Sequence, residues 1–430
     1  MREMKDSGIK WIGVIPLAWR TARVKNVAET MQSGGTPDSS NDTFYVDIEG
    51  GIPWVAIADM STTPYVKDTN KHISEEGRKS KNLIVFEPGT ILYAMYASVG
   101  KVSELAVPAT INQALLAIVL NSSIDGSFFK YALNAWEPYI ISESNGTTQF
   151  NLNANKVANL CFPMPNRLEQ ESIVRYLDTK CAQVDTLIAN VQFQIEKLKA
   201  YKQSMITEVV TKGLDPTVPM KDSGVEWIGE IPKHWSVIPS KFLFANCDER
   251  RREGDVQLTA SQKYGMISQE EYMRRENARI VLADKGLENW KHVEPFDFVI
   301  SLRSFQGGLE MSEVTGCATW HYIILRARQR IHPYYYKWLF KSSMYITTLQ
   351  RTCNYIRDGQ DLRYSNFVKV PLCIPTLYEQ QKIADFLDRK CAKIDHLITL
   401  KQSKIEKLEQ YKRSLIYEYV TGKREVSCDE

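Results

Sequence analysis

The segment QESIVRYLDTKCAQVDTLIANVQFQIEKL, residues 170–198, decides the fold of this chain. Its apolar side chains recur at alternating steps of four and three residues: Leu177, Cys181, Val184, Ile188, Val191, Ile195 and Leu198. This spacing places them in one stripe along an α-helix and predicts a coiled-coil seam of about three heptads. Such a stripe needs a partner that buries it.

A candidate partner lies in the same chain. Residues 170–213 align without gaps on residues 380–423, and roughly half of the aligned positions are identical. The second copy keeps the stripe with one polar interruption: Leu387, Cys391, Ile394, Ile398, Lys401, Ile405 and Leu408. At about 1.5 Å per residue, each helix should be roughly 65 Å long. We expect the two helices to pack as an antiparallel pair related by a pseudo-twofold axis.

Capping signals bound both helices. Asn166 and Thr376 each follow a proline and stand three residues before a glutamate, which is the pattern of a capping box. Gly213 and then Pro216 end the first helix. The sequence therefore predicts a first coiled-coil helix at 166–214, as a central spacer region, and a second at 376–430, as a distal one.

A second repeat contains tryptophan. MKDSGIKWIGVIP at residues 4–16 returns as MKDSGVEWIGEIP at residues 220–232, and Trp19 returns as Trp235. These indole rings could stack on nucleic-acid bases. Docking against the helices is the favoured interpretation, because the tryptophans recur with the repeated helices and not with the divergent sequence between them.

Two divergent stretches of about 145 residues remain, each the size of a domain. Both contain short apolar runs typical of strands: Gly89–Met95, Gln113–Leu120, Phe296–Ser301 and His321–Leu325. With their repeated segments they form a first domain at 1–165 and a second at 215–375. The predicted fold class is two α/β (α+β) domains separated by two long antiparallel coiled-coil helices, with an internal pseudo-twofold repeat.

The composition is that of an ordinary globular protein. Of 430 residues, 43% are hydrophobic and 24% are charged, and no apolar run is long enough to span a membrane, so we expect a cytoplasmic location and no membrane partner. The 8 cysteines form no CxxC pair. The net charge is +3, but bases exceed acids by about five between residues 236 and 375, which hints at a polyanionic partner.

The chain resembles the DNA-specificity subunits of type I restriction–modification systems over nearly its whole length. The motifs that carry the resemblance occur in a fixed order: Trp-Ile-Gly-x-Ile-Pro-x-x-Trp at 11–19 and 227–235, Ser33-Gly-Gly-Thr-Pro37, Ser98-Val-Gly-Lys101, Ile111-Asn-Gln-Ala114, Gly146-Thr-Thr-Gln149, and Pro-x-x-x-Glu-Gln followed by Ile-x-x-x-Leu-Asp at 165–178 and 375–388. The second domain departs from the pattern, because Arg357-Asp-Gly-Gln-Asp-Leu-Arg363 replaces Gly-Thr-Thr-Gln.

This resemblance implies function and partners. In that family, two target-recognition domains each recognise one half of a bipartite double-stranded DNA site, and the coiled-coil regions set the spacing and dock two methyltransferase (modification) subunits. Restriction/translocase subunits complete the complex. The resemblance therefore implies a chain without catalytic activity and without a cofactor of its own. S-adenosylmethionine, ATP and Mg²⁺ are expected on the partner subunits.

The motifs of nucleotide and methyl-transfer chemistry are absent. Gly100-Lys101 is followed by Val102 and lacks the upstream glycine of a phosphate loop. Asp178-Thr-Lys180 and its copy at 388–390 imitate a nuclease motif, but helical residues two apart do not face each other. The seam cysteines are expected to be buried thiols, and the 6 histidines show no ligand spacing, so no metal is assigned.

Candidate DNA contacts are polar or aromatic residues on loops, where they can enter a groove or touch a phosphate. They are Gly35, Thr36, Tyr96, Ser98, Lys101, Gln149, Arg250, Arg251, Arg303, Gln306, Arg357, Gln360 and Arg363. Gly35 and Thr36 could offer backbone N–H groups to a phosphate. Arg250 and its two neighbours form either a phosphate-binding patch or a solvated run of charge.

Three functions stay open on the sequence alone. The chain is a non-catalytic DNA-recognising adaptor, a coiled-coil scaffold that binds only proteins, or an enzyme with an unrecognised site. Divergent domains inside a repeated frame favour the first.

Overall fold

The computed structural model describes residues 2–47, 50–60, 64–96, 99–143, 152–279, 283, 285–302, 304–353 and 362–426. The chain divides into two compact units. Unit 1 comprises Met1–Val191 and Ser403–Glu430, and unit 2 comprises Gln192–Gln402. The two long helices are confirmed, and each contributes one half to unit 1 and the other half to unit 2. The predicted boundaries instead treated each helix as a separate region.

The strands and short helices of unit 1 precede the first long helix. Its strands are β1 (Met4–Asp6), β2 (Val14–Pro16), β3 (Arg20–Arg23), β4 (Ala28–Ser33), β5 (Tyr45–Val46), β6 (Ile52–Val55), β7 (Tyr65–Val66), β8 (His72–Ile73), β9 (Ile91–Ala94), β10 (Val102–Leu105), β11 (Thr110–Ile111), β12 (Leu115–Leu120) and β13 (Cys161–Met164). Its short helices are α1 (Val24–Val27), α2 (Glu75–Ser80), α3 (Gly126–Glu143) and α4 (Ala154–Ala158).

The main sheet of unit 1 has the order β4-β12-β9-β10-β7. β12 lies between β4 and β9 and pairs antiparallel with both. Its sequence, Leu-Leu-Ala-Ile-Val-Leu, is apolar on both faces, as expected of a strand buried from both sides. One face packs on α3 through Phe128 and Phe129, and a smaller core containing Val55 and Ile111 covers the other.

Unit 2 contains the elements between the long helices. After α5 (Arg167–Lys212) come the strands β14 (Met220–Asp222), β15 (Glu230–Pro232), β16 (Ser236–Pro239), β17 (Phe244–Cys247), β18 (Leu258–Ser261), β19 (Gly265–Ser268), β20 (Lys291–Val293), β21 (Phe298–Ile300), β22 (Glu310–Met311), β23 (Gly316–Ala318), β24 (Ile323–Ala327) and β25 (Pro371–Ile374). Its helices are α6 (Gln269–Glu276), α7 (Ser304–Gly307), α8 (Pro333–Leu339), α9 (Ser343–Arg351), α10 (Tyr364–Phe367) and α11 (Leu377–Val420).

The main sheet of unit 2 has the order β17-β24-β21-β22. In both units the first strand of the sheet (β4 or β17) pairs with the strand that comes last in sequence (β12 or β24). That strand then pairs with β9 or β21, and β9 or β21 pairs with the next strand of the chain, β10 or β22. Phe244 and Phe298 stack edge to face at 5.6 Å at the centre of this core. The four strands thus follow the same path as β4, β12, β9 and β10.

The seam of the long helices is buried where the heptad pattern predicts. In unit 1, Leu177 of α5 belongs to the same core as Leu415 of α11, and Leu387 of α11 belongs to the core of unit 2. Leu177 and Leu387 are fully buried. Burying a leucine contributes roughly 1.5–3 kcal/mol, so a few such positions hold a helix pair together.

Ion pairs beside the seam fix the direction of the helices within each unit. In unit 1, Lys412 contacts Asp185 at 2.7 Å, and Tyr419 lies against Tyr176. The numbers fall along α11 as they rise along α5, so the helices are antiparallel there. In unit 2 the repeat-equivalent pair forms, with Lys202 of α5 at 2.6 Å from Asp395 of α11.

The polar interruption of the second seam has a partner. Lys401 donates to the side-chain oxygen of Gln194 at 2.5 Å in unit 2. A polar residue at a seam position lowers stability but disfavours other registers, because shifting the helices would leave it unpaired.

Each long helix begins with a glutamate that also anchors a tryptophan. Glu169 accepts from Trp19 Nε1 at 3.1 Å in unit 1, and Glu379 accepts from Trp235 Nε1 at 3.0 Å in unit 2. Both indole rings are buried. This supports the docking interpretation of these tryptophans over base stacking.

The glutamine after each of these glutamates joins the helix to its domain. Gln170 is buried, donates to the carbonyl of Pro165 and accepts from the backbone of Asp125. In the same way, Gln380 donates to the carbonyl of Pro375 and accepts from the backbone N–H of His332. The Glu-Gln motif is therefore explained by packing, because a buried amide must find partners.

The first repeated segment packs beside the end of α11 within unit 1. Tyr417 donates to the carbonyl of Trp11 at 3.1 Å, and Lys423 donates to the carbonyl of Ile12 at 2.5 Å. Arg2 contacts Glu425 at 3.1 Å. In the described part of the chain, no helix is long and apolar enough to cross a membrane.

Replacing Glu379 with glutamine should lower stability at neutral pH. Burial raises the pKa of Glu379, but hydrogen bonds from Trp235, Thr376 and His234 outweigh this effect, so the pKa of Glu379 lies below the usual value of a glutamate. A depressed carboxyl pKa stabilises the fold above about pH 4.5 and loses that effect as the pH falls through the folded value. Glu379→Gln should therefore lower the Tm by about 2–4 °C at neutral pH, if roughly 1 kcal/mol of stability is lost. The Tm of the variant should also fall less steeply than that of the parent as the pH is lowered.

Thermal melts between about pH 7 and about pH 3 measure this effect. Glu409→Gln, at an exposed position of the same helix, serves as the matched control. Equal melting curves for the two variants at every pH would show that the Trp235 contact does not stabilise the fold.

Candidate nucleic-acid interface

Three loops of the first domain leave the sheet at the same edge. They are the loop after β4, the loop between β9 and β10, and the loop before β12. The ladder pairs bring them together, because Leu115 faces Ala94 and Leu116 faces Ser33. Edge 1 denotes the described residues of these loops: 34–37, 95–96, 99–101 and 112–114.

Gly35 and Thr36 lie on edge 1, but the Gly35 N–H is already used. It donates to the carbonyl of Ile111 at 3.1 Å, and the Gly35 carbonyl accepts from Trp54 Nε1 at 2.9 Å. This corrects the expectation that Gly35 presents its backbone to a phosphate, since it joins two loops instead. The Thr36 hydroxyl donates to the side-chain oxygen of Gln113, whose exposed amide N–H groups have no partner among the described residues.

Tyr96 and Lys101 occupy the second loop of edge 1. Tyr96 is exposed directly after β9. Lys101 is half-buried near Glu137 of α3, where burial raises the pKa of Glu137 and the charges of Arg413 and Lys101 oppose the rise. Tyr96 is therefore the more accessible of the two. The predicted contacts Ser98 and Gln149 lie outside the described residues.

The second domain presents the corresponding edge. The loop after β17, the loop between β21 and β22, and the loop before β24 leave the sheet together. In the ladder, Cys247 faces Ile324 and Ile300 faces Ile323. Edge 2 denotes the described residues of these loops: 248–257, 301–302, 304–309 and 319–322.

The arginine run lies on edge 2 and is largely engaged within the domain. Arg250 donates to the carbonyl of Asn289 at 3.0 Å, and Arg252 contacts Glu249 at 2.5 Å. Arg251 is exposed. The Arg251 side chain also hydrogen-bonds to Cys317, so all three arginines of the run have contacts within the domain. Neither alternative from the sequence therefore describes this run fully.

Lys341 holds the turn that carries Gln306. Lys341 donates to the carbonyl of Gly307 at 2.9 Å and to the carboxylate of Glu310. Burial raises the pKa of Glu310 and lowers that of Lys341, and each charge opposes the shift of the other. Gln306 itself is exposed on the turn that these contacts hold.

The last segment of the second domain is only partly described. Arg303, Arg357 and Gln360 lie outside the described residues. Arg363 is exposed just before α10, and the next residue, Tyr364, donates to the carbonyl of Phe244 at 3.0 Å. Phe244 begins β17, whereas edge 2 lies at the end of that strand, so this contact ties the segment to the opposite end.

Two exposed side chains at these edges were missed as site residues. Gln113 stands before β12 in edge 1, and Trp320 stands before β24 in edge 2. Trp320 is 55% exposed and its ring stacks on His321 at 3.4 Å. The signal that could have found both is their place two or three residues before an apolar strand.

The aspartates of the nuclease-like motifs and the two seam cysteines have structural roles. Asp178 accepts from the hydroxyl of Tyr131 at 2.7 Å, and Asp388 accepts from Trp338 Nε1 at 2.8 Å. These repeat-equivalent bonds join each long helix to its domain. The two seam cysteines are buried, and burial raises the pKa of Cys391 to about 11, so its thiol is a poor nucleophile at neutral pH.

A groove lies beside the repeated Trp-Ile-Gly segment in each unit. The groove of unit 1 has a volume of about 620 Å³ and is lined by Trp11, Ala135, Tyr139, Arg413, Ile416 and Tyr417, among others. The groove of unit 2 has a volume of about 650 Å³ and is lined by residues including Trp227, Ile228, Gln203, Thr207, Thr211 and Met344. The two linings share the tryptophan of the repeat and some equivalent helix positions, such as Arg413 with Gln203 and Tyr417 with Thr207.

Comparison with known proteins shows that residues 16–197 are similar to the family described as type I restriction modification DNA specificity domain. The putative type I restriction enzyme MjaX specificity subunit of Methanocaldococcus jannaschii is 22% identical over 96% of this chain and 95% of its own length. The MjaIX specificity subunit of the same organism is 26% identical over 68% of this chain and 63% of its own length.

A solved structure shares the fold. A chain from a study of assembly and conformational transition of the type I R-M system covers 95% of this chain and 99% of its own, with a TM-score of 0.66 and 15% sequence identity. The agreement extends over both units and the long helices.

Proposed function

We propose that this chain is a specificity subunit of the type I restriction–modification family and that it recognises a double-stranded DNA site split into two halves; the match of residues 16–197 and the similarity to the MjaX subunit support this. Edge 1 recognises one half and edge 2 recognises the other. Both edges present side chains that can form paired hydrogen bonds with base edges, as the amides of Gln113 and Gln306 can with adenine.

The observation that carries this proposal is that the two units share their strand order and helix contacts but differ in the side chains at their edges. Both units have the same order of four sheet strands, and both make the same tryptophan–glutamate contact at the start of a long helix. Their edges differ, with Thr36 and Gln113 in one and Arg250, Gln306 and Trp320 in the other. Two domains that share a backbone path but not their loop side chains suit two different sequences.

The long helices act in this proposal as a spacer between two target-recognition domains, in a frame with a pseudo-twofold repeat. Repeat-equivalent ion pairs, Asp185 with Lys412 and Lys202 with Asp395, support equivalent roles for the helix halves. The spacer determines how many unread base pairs separate the halves, and the edges determine which bases are recognised.

Two methyltransferase subunits dock on the repeated surfaces of the frame. The two Trp-Ile-Gly grooves would hold one copy each, since they have similar volumes and equivalent positions. Exposed aromatic side chains at equivalent helix positions, Tyr201 and Tyr411, add apolar surface. Restriction/translocase subunits join the same complex. S-adenosylmethionine, ATP and Mg²⁺ bind the partner subunits.

Substitution at one edge should affect one half of the target only. Gln306→Ala should weaken recognition of the half read by edge 2 by about 1–3 kcal/mol, because a paired contact to one base is lost. Gln113→Ala should do the same for the other half. Methylation rates of the complex on duplexes with single base changes measure both effects.

Lys25→Ala, in α1 at the start of β4 and away from edge 1, is the matched control and should leave both halves unchanged. If Gln113→Ala and Gln306→Ala both relaxed the same half, or if neither changed the base preference, the assignment of one half to each edge would be wrong.

The chain without its partners should neither hydrolyse ATP nor transfer methyl groups, because its part in the complex is to supply specificity. Phosphate release and transfer of labelled methyl groups to target DNA measure the two activities. Adding the methyltransferase partner should restore methyl transfer. Turnover by the purified chain alone would instead favour an enzyme with an unrecognised site.

A further inference from the structure

A buried imidazole in unit 2 has one nitrogen without a partner. His292 lies on β20 and is 1% exposed. Its Nδ1 is 2.8 Å from the Asp255 carboxylate, whereas its Nε2 is buried and has no hydrogen-bond partner among the described residues. A polar atom in that situation costs free energy, so native proteins usually supply a ligand for it.

Two carboxylates face the unused nitrogen. Glu294 Oε1 lies 3.6 Å from His292 Nε2, and Glu249 completes a group whose three ligand atoms lie within 4.8 Å of one another. Carboxylate and imidazole ligands are the set that zinc and its neighbours accept in proteins. Asp255 adds the usual outer partner, because a carboxylate on Nδ1 fixes the tautomer that presents Nε2 as a ligand.

A side-chain cation already occupies the space between the carboxylates. Arg252 Nη2 lies 2.5 Å from Glu249 and 3.3 Å from Glu294. This hydrogen bond holds the pKa of Glu249 below its usual value, so Glu249 is ionised at neutral pH. Arg252 is 52% exposed and can swing into solvent at low cost. The structure therefore shows that positive charge is accommodated at this point.

Arg326, the second arginine near these carboxylates, is held mainly by Asp297. Arg326 makes two hydrogen bonds to Asp297, at 2.9 and 2.7 Å, and reaches Glu249 and Glu294 only at 3.5 and 3.4 Å. If Arg252 leaves, Arg326 is the guanidinium that remains beside the three carboxylates of Glu249, Glu294 and Asp297. The remaining negative charge suits a divalent cation.

We propose that Glu249, His292 and Glu294 form a binding site for a zinc-class divalent cation, which replaces Arg252 between the two carboxylates. The ion ties the loop after β17 to β20, with Asp255 orienting the imidazole. The sequence analysis found no ligand spacing among the histidines, because Glu249 lies in the loop after β17 and only an antiparallel pairing of this loop with β20 brings it to His292. The site does not depend on the role assigned to edge 2.

Calorimetric titration of the full chain with Zn²⁺, after removal of metal with a chelator, tests the site. One equivalent should bind, and Mg²⁺ should not compete, since Mg²⁺ prefers oxygen ligands in octahedral geometry. His292→Ala and Glu294→Gln should each weaken Zn²⁺ binding by roughly tenfold or more. His396→Ala, an exposed histidine of α11, is the matched control.

Arg252→Met should strengthen Zn²⁺ binding, whereas the ligand variants weaken it. A gain in affinity cannot result from a variant that fails to fold. Without the competing cation, Zn²⁺ should bind roughly tenfold more tightly, because no guanidinium has to be displaced. A circular dichroism spectrum checks the fold of each variant. Absence of stoichiometric binding, unchanged binding in both ligand variants, or weaker binding in Arg252→Met would each overturn the proposal.

Discussion

A fragment of residues 1–214 is expected to pair with a second copy of itself and, with its methyltransferase partner, to recognise an inverted repeat of one half-target. The fragment lacks residues 403–430, which unit 1 takes from the second long helix. It contains residues 193–213, which are the repeat copy of 403–423. A second fragment can therefore supply the missing segment.

The contacts of unit 1 show which residues of the second fragment would take the place of residues of α11. Lys412 beside Asp185 would be replaced by Lys202 of the other copy, with the same charge and the same spacing from the seam. Tyr419 beside Tyr176 would be replaced by Val209, which loses an aromatic contact. The pairing keeps the apolar seam and should be weaker than the intact chain.

Sedimentation measures the pairing, and methylation mapping identifies the target. Leu177→Asp in the fragment is the control that should abolish pairing, because it places an unpaired charge in the seam. Methylation at the parent's asymmetric site, or a fragment that stays monomeric with its partner present, would contradict the exchange of helix segments.

A heptad inserted into both long helices should lengthen the unread spacing of the target without changing either half. Gln194 and Lys401 hydrogen-bond to each other, so insertions directly after these residues lie close together in the helix pair. Seven residues in each helix add about 10 Å at 1.5 Å per residue, or roughly three base pairs. Because seven residues complete the heptad, the seam stays continuous.

The same insertion in one helix alone should abolish assembly. With α5 lengthened and α11 unchanged, the ion pairs Lys412–Asp185 and Lys202–Asp395 cannot both form, because the intervals between them no longer match. Methylation mapping of both variants tests the difference. A doubly extended protein that keeps the parent spacing, or that selects new bases, would contradict the division between spacer and edges.

The sequence by itself determined the long helices and where they begin, although the second ends at Val420 and not at the predicted residue 430. Heptad spacing, a proline and a capping residue act over neighbouring turns, so α5 and α11 begin at Arg167 and Leu377, next to the capping residues Asn166 and Thr376. The repeated tryptophans could also be assigned to the frame, because Trp19 and Trp235 recur at a fixed distance from the helices that hold them.

Only the tertiary structure decided which loops share an edge and which side chains are free there. Ser33 faces Leu116 across a ladder, and no local pattern predicts a pairing over such a distance in sequence. The engagement of Gly35 with Ile111 and the grouping of Glu249 with His292 have the same origin. A helix satisfies its own backbone through nearby residues, whereas sheet edges depend on hydrogen bonds between distant strands, so the helices were predictable and the sites were not.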